Sequence, residues 1–295
     1  MASLKEVKNR INSVKSTRQI TSAMKMVASA KLHKAQMRIG NMLPYQQKLN
    51  EILTNFLSTD ATFESPYTIV RPVTKVAIVV FSSNGSLCGA FNANVFKMFE
   101  QTLDKYRSLK KEDILIYPVG KKVELAVKKL GYTPQGSYQQ MADKPSYAET
   151  YELASLLMQE FVEKRVDKVE LIYHHFKSMG SQVLTREDYL PIDLSKLEKS
   201  LAQKGSEERG YNNDYIVEPS VGQLIADLLP KVLSQKLYTV LSDSNASEHA
   251  ARTLAMQAAT DNANELIQDL TKQYNKSRQQ AITNELLDII GGSLK

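Results

Sequence analysis

The C-terminal run from about Val221 to Ile290 constrains the fold more than any other stretch. After Gly222 it holds no glycine, and its one proline is Pro230. Leu233, Leu237, Val240, Leu241, Ala251, Leu254, Ala258, Leu266, Leu270, Tyr274, Ala281, Leu286 and Ile290 recur mostly three, four or seven residues apart. That is the spacing of one helix face. Gly291-Gly292 follows as the expected stop signal. A single helix of roughly 60–70 residues would be about 90–105 Å long at ~1.5 Å per residue. A compact chain of 295 residues would measure only about 50 Å across. The run is therefore expected to project and to need a partner along much of its length.

Residues 3 to about 57 supply a second long helix. Ser3 is placed to cap it, with Glu6 completing a capping box. Leu4, Val7, Ile11 and Val14 step as a coiled-coil seam, and Ile20, Met24, Val27, Ala28, Leu32, Ala35 and Ile39 continue it in a shifted phase. Pro44 predicts a kink near residues 40–44. Small residues recur in both runs: Ala23, Ala28, Ser29 and Ala30 in the first, Ala250, Ala251, Ala255, Ala258 and Ala259 in the second. Two such helices in one chain, separated by a large insertion, predict an antiparallel pair. A bundle core is the plainer alternative, disfavoured by helix length.

Between them the periodicity changes. Residues 58–72 read as a linker. Val76–Phe81 is a continuous apolar run, the mark of a strand buried on both faces. Ile114–Val119 and Val169–Tyr173 are further strands, and Ser181–Thr185 is a candidate edge strand. Helices are expected over 93–109, 121–130 and 148–164. Strands alternating with helices predict a mostly parallel sheet. Residues 187–213 are polar and charged and read as an exposed excursion.

Chemistry is sparse. The stretch Ser82–Asn92 follows a strand and opens a helix, where α/β folds bind phosphates. It matches neither GxGxxG nor the P-loop, and no lysine closes it. A structural turn is the better reading. Cys88 is the single cysteine, so no intrachain disulfide forms, and no base is evident beside it. His33, His174, His175 and His249 lack metal-site spacing. The expectation is no catalytic residue, no metal and no cofactor. The net charge of +6 is concentrated at the start, where ten basic residues and one acidic residue give the first 50 positions +9. Nucleic acid, anionic lipid or an acidic protein surface would answer that charge. The basic start also has the character of a transit peptide, but its regular apolar stripe favours a structural helix.

Two long ungapped stretches resemble the gamma subunit of F-type ATP synthases. One runs from Arg10-Ile11-Asn12-Ser13-Val14-Lys15-Ser16-Thr17-Arg18-Gln19-Ile20 to Ala28. The other takes in Ser247-Glu248-His249-Ala250-Ala251-Arg252, Ala259-Thr260-Asp261-Asn262-Ala263 and Tyr274–Thr283, then Glu285-Leu286 and Gly291-Gly292. The 82–94 turn resembles the family's too, but carries Ser83-Asn84 where an Asp-Arg pair is usual and one extra residue. The resemblance implies an α/β fold in which a long antiparallel coiled coil of N- and C-terminal helices carries an inserted Rossmann-like domain. Its expected bounds are 1–60 with 218–295 for the shaft and 70–217 for the domain. It implies a non-catalytic rotor, one copy per complex, inside three alpha and three beta subunits, standing on the membrane c-ring beside epsilon. Rotation of the ring, driven by protons, would set nucleotide affinity at the beta sites. Met24, Arg252, Arg278, Gln279 and Thr283 fall at family positions tied to shaft–head contact. Leu286, Ile289 and Ile290 form an apolar tip expected to touch the surrounding ring.

No apolar run approaches the roughly 20 residues of a membrane span. The expected location is peripheral to a bacterial inner membrane, on the cytoplasmic side, since no extended leader precedes the matching start. Two other function classes compete. A basic coiled-coil nucleic-acid binder would account for the first helix, but the chain has no Trp and its aromatics do not interleave with the charges. A nucleotide-dependent α/β enzyme rests on fold alone. Co-purifying alpha and beta chains, nucleic acid, or neither, would separate the three.

Overall fold

The computed structural model describes residues 4–59, 65–192, 217 and 220–293. The proposed cap Ser3 and most of the 187–213 excursion lie outside them. The elements in order are α1 (Leu4–Thr59), β1 (Val76–Phe81), α2 (Phe91–Lys105), β2 (Ile114–Val119), α3 (Lys121–Lys129), α4 (Gln139–Asp143), α5 (Tyr147–Val162), β3 (Lys168–Ser178), β4 (Ser181–Leu190) and α6 (Val221–Ser293). α1 has 56 residues and α6 has 73.

Neither proline ends its helix. Pro44 lies inside α1 and Pro230 inside α6. A proline removes one hydrogen bond from a ladder that has many, so the helix continues past it. Gly291-Gly292 does not stop α6, which runs on to Ser293. Glycine permits a left-handed terminus but does not impose one.

The sheet has the order β2-β1-β3-β4. β1 pairs in parallel with β2 and with β3. β4 is antiparallel to β3 and longer than expected, claiming residues 187–190 from the predicted excursion. Every residue of β1 is buried, because both faces of the sheet are covered. On one side Val76, Ile78 and Val80 pack with Val95 and Phe99 of α2 and Val123 and Val127 of α3. On the other, Ala77, Val79 and Phe81 pack with Leu153, Leu157 and Phe161 of α5 and with Leu233, Leu237, Val240 and Leu241 of α6.

The chain divides into two compact units, one of residues 1–30 with 252–295, the other of residues 31–251. In the first unit, α1 and α6 run antiparallel. Val7 and Ile11 pack on Leu270, Arg18 Nη1 donates to Asn264 Oδ1 at 3.4 Å, and the hydroxyls of Thr21 and Thr260 bond at 2.8 Å. In the second unit the pairing has the same sense. Leu32 and Ala35 pack on Ala246 and Ala250, and Leu53 packs on Ile225 and Leu229. The close helix approach uses fewer of the predicted small residues than expected. Ala28 and Ala250 are buried, but Ala23, Ser29, Ala30 and Ala258 are exposed. Ala35 and Ala246 take their place because the seam shifts phase along the pair.

Candidate functional site

The loop after β1 is built from its own side chains. Ser82 Oγ accepts from the Val123 amide at 3.0 Å, and Asn84 Oδ1 accepts from the Lys121 amide at 2.8 Å. These amides lie in the first turn of α3, the place where a phosphate would otherwise bind. Asn84 Nδ2 donates to the Gln139 carbonyl, and the Ser83 amide donates to Asn92 Oδ1. Ser83 and Asn84 thus supply the contacts that close the turn. Gly120 approaches it so closely, at φ +108°, that a Cβ there would lie 2.3 Å from the Ser82 carbonyl oxygen. Cys88 is buried, with Asn92 Nδ2 3.2 Å and Ser83 Oγ 3.7 Å from its sulfur. Neither of these described neighbours is a base that would activate the thiol.

The polar chemistry collects instead on α6, between Leu241 and Ala250, where every residue is buried. Asn245 Nδ2 donates to the Ala142 carbonyl at 2.8 Å. Ser247 Oγ donates to the His174 carbonyl at 3.1 Å. His175 Nδ1 meets Asp243 Oδ2 at 2.5 Å. On the opposite flank Thr239 Oγ1 donates to Gln46 Oε1 of α1 at 3.4 Å. The Asp243 carboxyl is pushed up by burial, with Glu187 adding repulsion against the attraction of His175. His174 stacks on Phe91 at 4.4 Å, and burial holds its imidazole down at about 4. Buried polar groups need partners. For Asp243, Asn245 and Ser247 the partners belong to the sheet domain, so α6 is keyed to it at several separate points.

These residues escaped the sequence reading. Ser242-Asp243-Ser244-Asn245 looks like a solvated helix turn, and only the apolar Val240-Leu241 before it and Ala246 after it hint otherwise. The residues that were singled out lie elsewhere, in the unit of residues 1–30 and 252–295. Met24 and Arg252 are half-buried. Arg278, Gln279 and Thr283 are exposed, and Thr283 Oγ1 donates only to the Gln279 carbonyl of its own helix, at 2.9 Å. Leu286, Ile289 and Ile290 are 54%, 64% and 56% exposed, so the apolar tip is uncovered in the chain by itself. Among the described residues the apolar packing of α1 at this end of α6 is on Leu270 and Tyr274, and every residue from 278 to 290 is exposed.

A family model described as ATP synthase matches residues 3–294. An ATP synthase gamma chain of Bacteroides fragilis is 73% identical over 294 residues, covering 100% of both chains. The chain belongs to the ATP synthase gamma-chain family. The gamma chain of Bacteroides thetaiotaomicron is 68% identical, again over 100% of both, and that of Flavobacterium johnsoniae 43% identical over 99% of this chain and 98% of its own. Among solved structures, a chain of the Euglena gracilis mitochondrial ATP synthase OSCP/F1/c-ring assembly shares the fold. Its TM-score is 0.65 at 21% identity, covering 98% of this chain and 92% of that one. A Tetrahymena thermophila central stalk/c-ring chain gives a TM-score of 0.56 at 23% identity, covering 81% and 99%. As a gamma chain, this is the rotor-shaft component of an enzyme complex, the membrane-associated ATP synthase. No helix among the described residues is long and apolar enough to cross a membrane.

Proposed function

We propose that the chain couples rotation of a membrane ring to changes of nucleotide affinity in a catalytic head without making or breaking bonds itself. The observation that carries this is the bare end of α6. Thirteen consecutive residues, 278–290, are exposed, and they include Leu286, Leu287, Ile289 and Ile290. An exposed apolar surface of this kind marks a contact with another chain. The covering is the ring of three alpha and three beta subunits, around one gamma copy, and the sheet domain stands beside epsilon on the proton-driven c-ring. The complex then places the chain at the cytoplasmic face of a bacterial inner membrane. The keyed stretch of α6 at Asp243, Asn245 and Ser247 holds the sheet domain against slipping around the shaft helix.

A rotation assay tests this. Cys88 is buried, so Ser178→Cys at the exposed end of β3 gives one reactive thiol for a bead. With the head fixed to glass, ATP is expected to turn the bead stepwise in one sense. A bead that stays still while the same complexes hydrolyse ATP would overturn the reading.

A further inference from the structure

The outer side of α5 is chemically unlike the rest of the chain. Tyr147, Tyr151, Leu156 and Val162 are each 38–47% exposed along one helix. Tyr147 is held in place by the Tyr238 ring of α6, edge-on at 5.5 Å. Between α5 and the preceding turn lies an open groove of about 640 Å³, lined by Tyr138, Met141, Glu149, Glu152, Leu153 and Leu156. Glu149 and Glu152 pair with no described cation. In a chain of net charge +6, residues 137–160 hold four acids (Asp143, Glu149, Glu152 and Glu160) against the single base Lys144.

We propose that this groove is a docking surface for a protein segment of a neighbouring subunit that inserts a lysine or arginine flanked by apolar residues. A long cationic side chain has an apolar stem and a charged head. The stem would lie along Leu153, Leu156 and the Tyr138 ring, and the head would reach Glu149 and Glu152. Tyr147 and Tyr151, on the other flank of the same helix, are rigid amphipathic anchors of the kind that dominate interface energetics. The carboxylates choose among occupants: they repel nucleic acid and anionic lipid and attract a basic protein surface, which also speeds its docking. The inference rests on the chain working inside a multisubunit complex.

The test uses the assembled, purified complex with a benzophenone amino acid in place of Leu156. Irradiation is expected to give an intersubunit product whose attached peptide carries a lysine or arginine within a few residues of the bond. No intersubunit product, a peptide without a base, a second copy of this chain, or attachment to its own residues 193–219 would each overturn the proposal. In parallel, Glu149→Lys with Glu152→Lys is expected to weaken retention of that subunit about tenfold or more at low salt, with the melting of the isolated chain unchanged. Equal retention would also overturn it. Bead rotation is a separate readout: lost rotation with an intact cross-link counts against the rotor reading alone.

Discussion

His174 and Glu124 are both buried and both hold pKa values below their ordinary ones, for opposite reasons. Burial alone keeps the His174 imidazole neutral, down from 6.5 to about 4. The Glu124 carboxylate is held charged, from 4.5 down to about 2, by the ammonium of Lys128 first and then by Gln139 and Ser137. For both, the unfolded chain binds the proton more tightly than the folded one. Stability is therefore full above the unfolded pKa and falls as pH drops. The windows differ: His174 acts between about pH 6.5 and 4, Glu124 between 4.5 and 2. The His174 window is worth on the order of 3 kcal/mol, and solvent screening of the Lys128 pair makes the Glu124 window worth less. Denaturant melts at a series of pH values should show His174→Phe, which keeps the stack on Phe91, flattening only the upper limb. Glu124→Gln should flatten only the lower one. Matching slopes in parent and variant would refute either assignment.

At the scale of elements, the keyed stretch of α6 predicts a sharp contrast between two asparagines. Asn245→Ala removes the donor to a buried carbonyl, which costs about 1–3 kcal/mol. Asn262→Ala, at an exposed position of the same helix, should fall within roughly 0.5 kcal/mol of the parent. Thermal melts of the two variants check this, and equal shifts would sink it. The same contrast shows what could be read from the chain. Both long helices were legible because apolar periodicity reports burial directly, β1 because its apolar run is unbroken, and the antiparallel sense because one chain joins the two helices through a large insertion. The edge strand was legible too, though its full length was not, since Glu187 and Asp188 look like loop residues until Lys236 and Lys168 are brought to them. α4 was missed because five residues carry too little periodicity. The key at Asp243–Ser247 was missed because polar residues in a helix report solvent by default. Only tertiary partners, Ala142 and His174 among them, reverse that meaning.

For the whole molecule, the exposed apolar end of α6 sets the hardest requirement, since it must be held while it turns. Burying a Leu or Ile side chain stabilises by about 1.5–3 kcal/mol. Apolar contact is non-directional, so a greasy collar around Leu286, Ile289 and Ile290 would centre the tip with little dependence on angle. A collar of specific hydrogen bonds would have to break at every step, each loss costing about 1–3 kcal/mol. Arg278 and Gln279, exposed and nearer the paired part of the shaft, are proposed to make the contacts that depend on angle. Two variants separate these roles. Changing Leu286, Ile289 and Ile290 together to Asp should lower the yield or heat stability of the complex more than Arg278→Ala does. Arg278→Ala should reduce turnover or coupling more than assembly. Normal expression, assembly and heat resistance of the triple variant would show that the tip is not a bearing. In that case its exposed residues would need another cover.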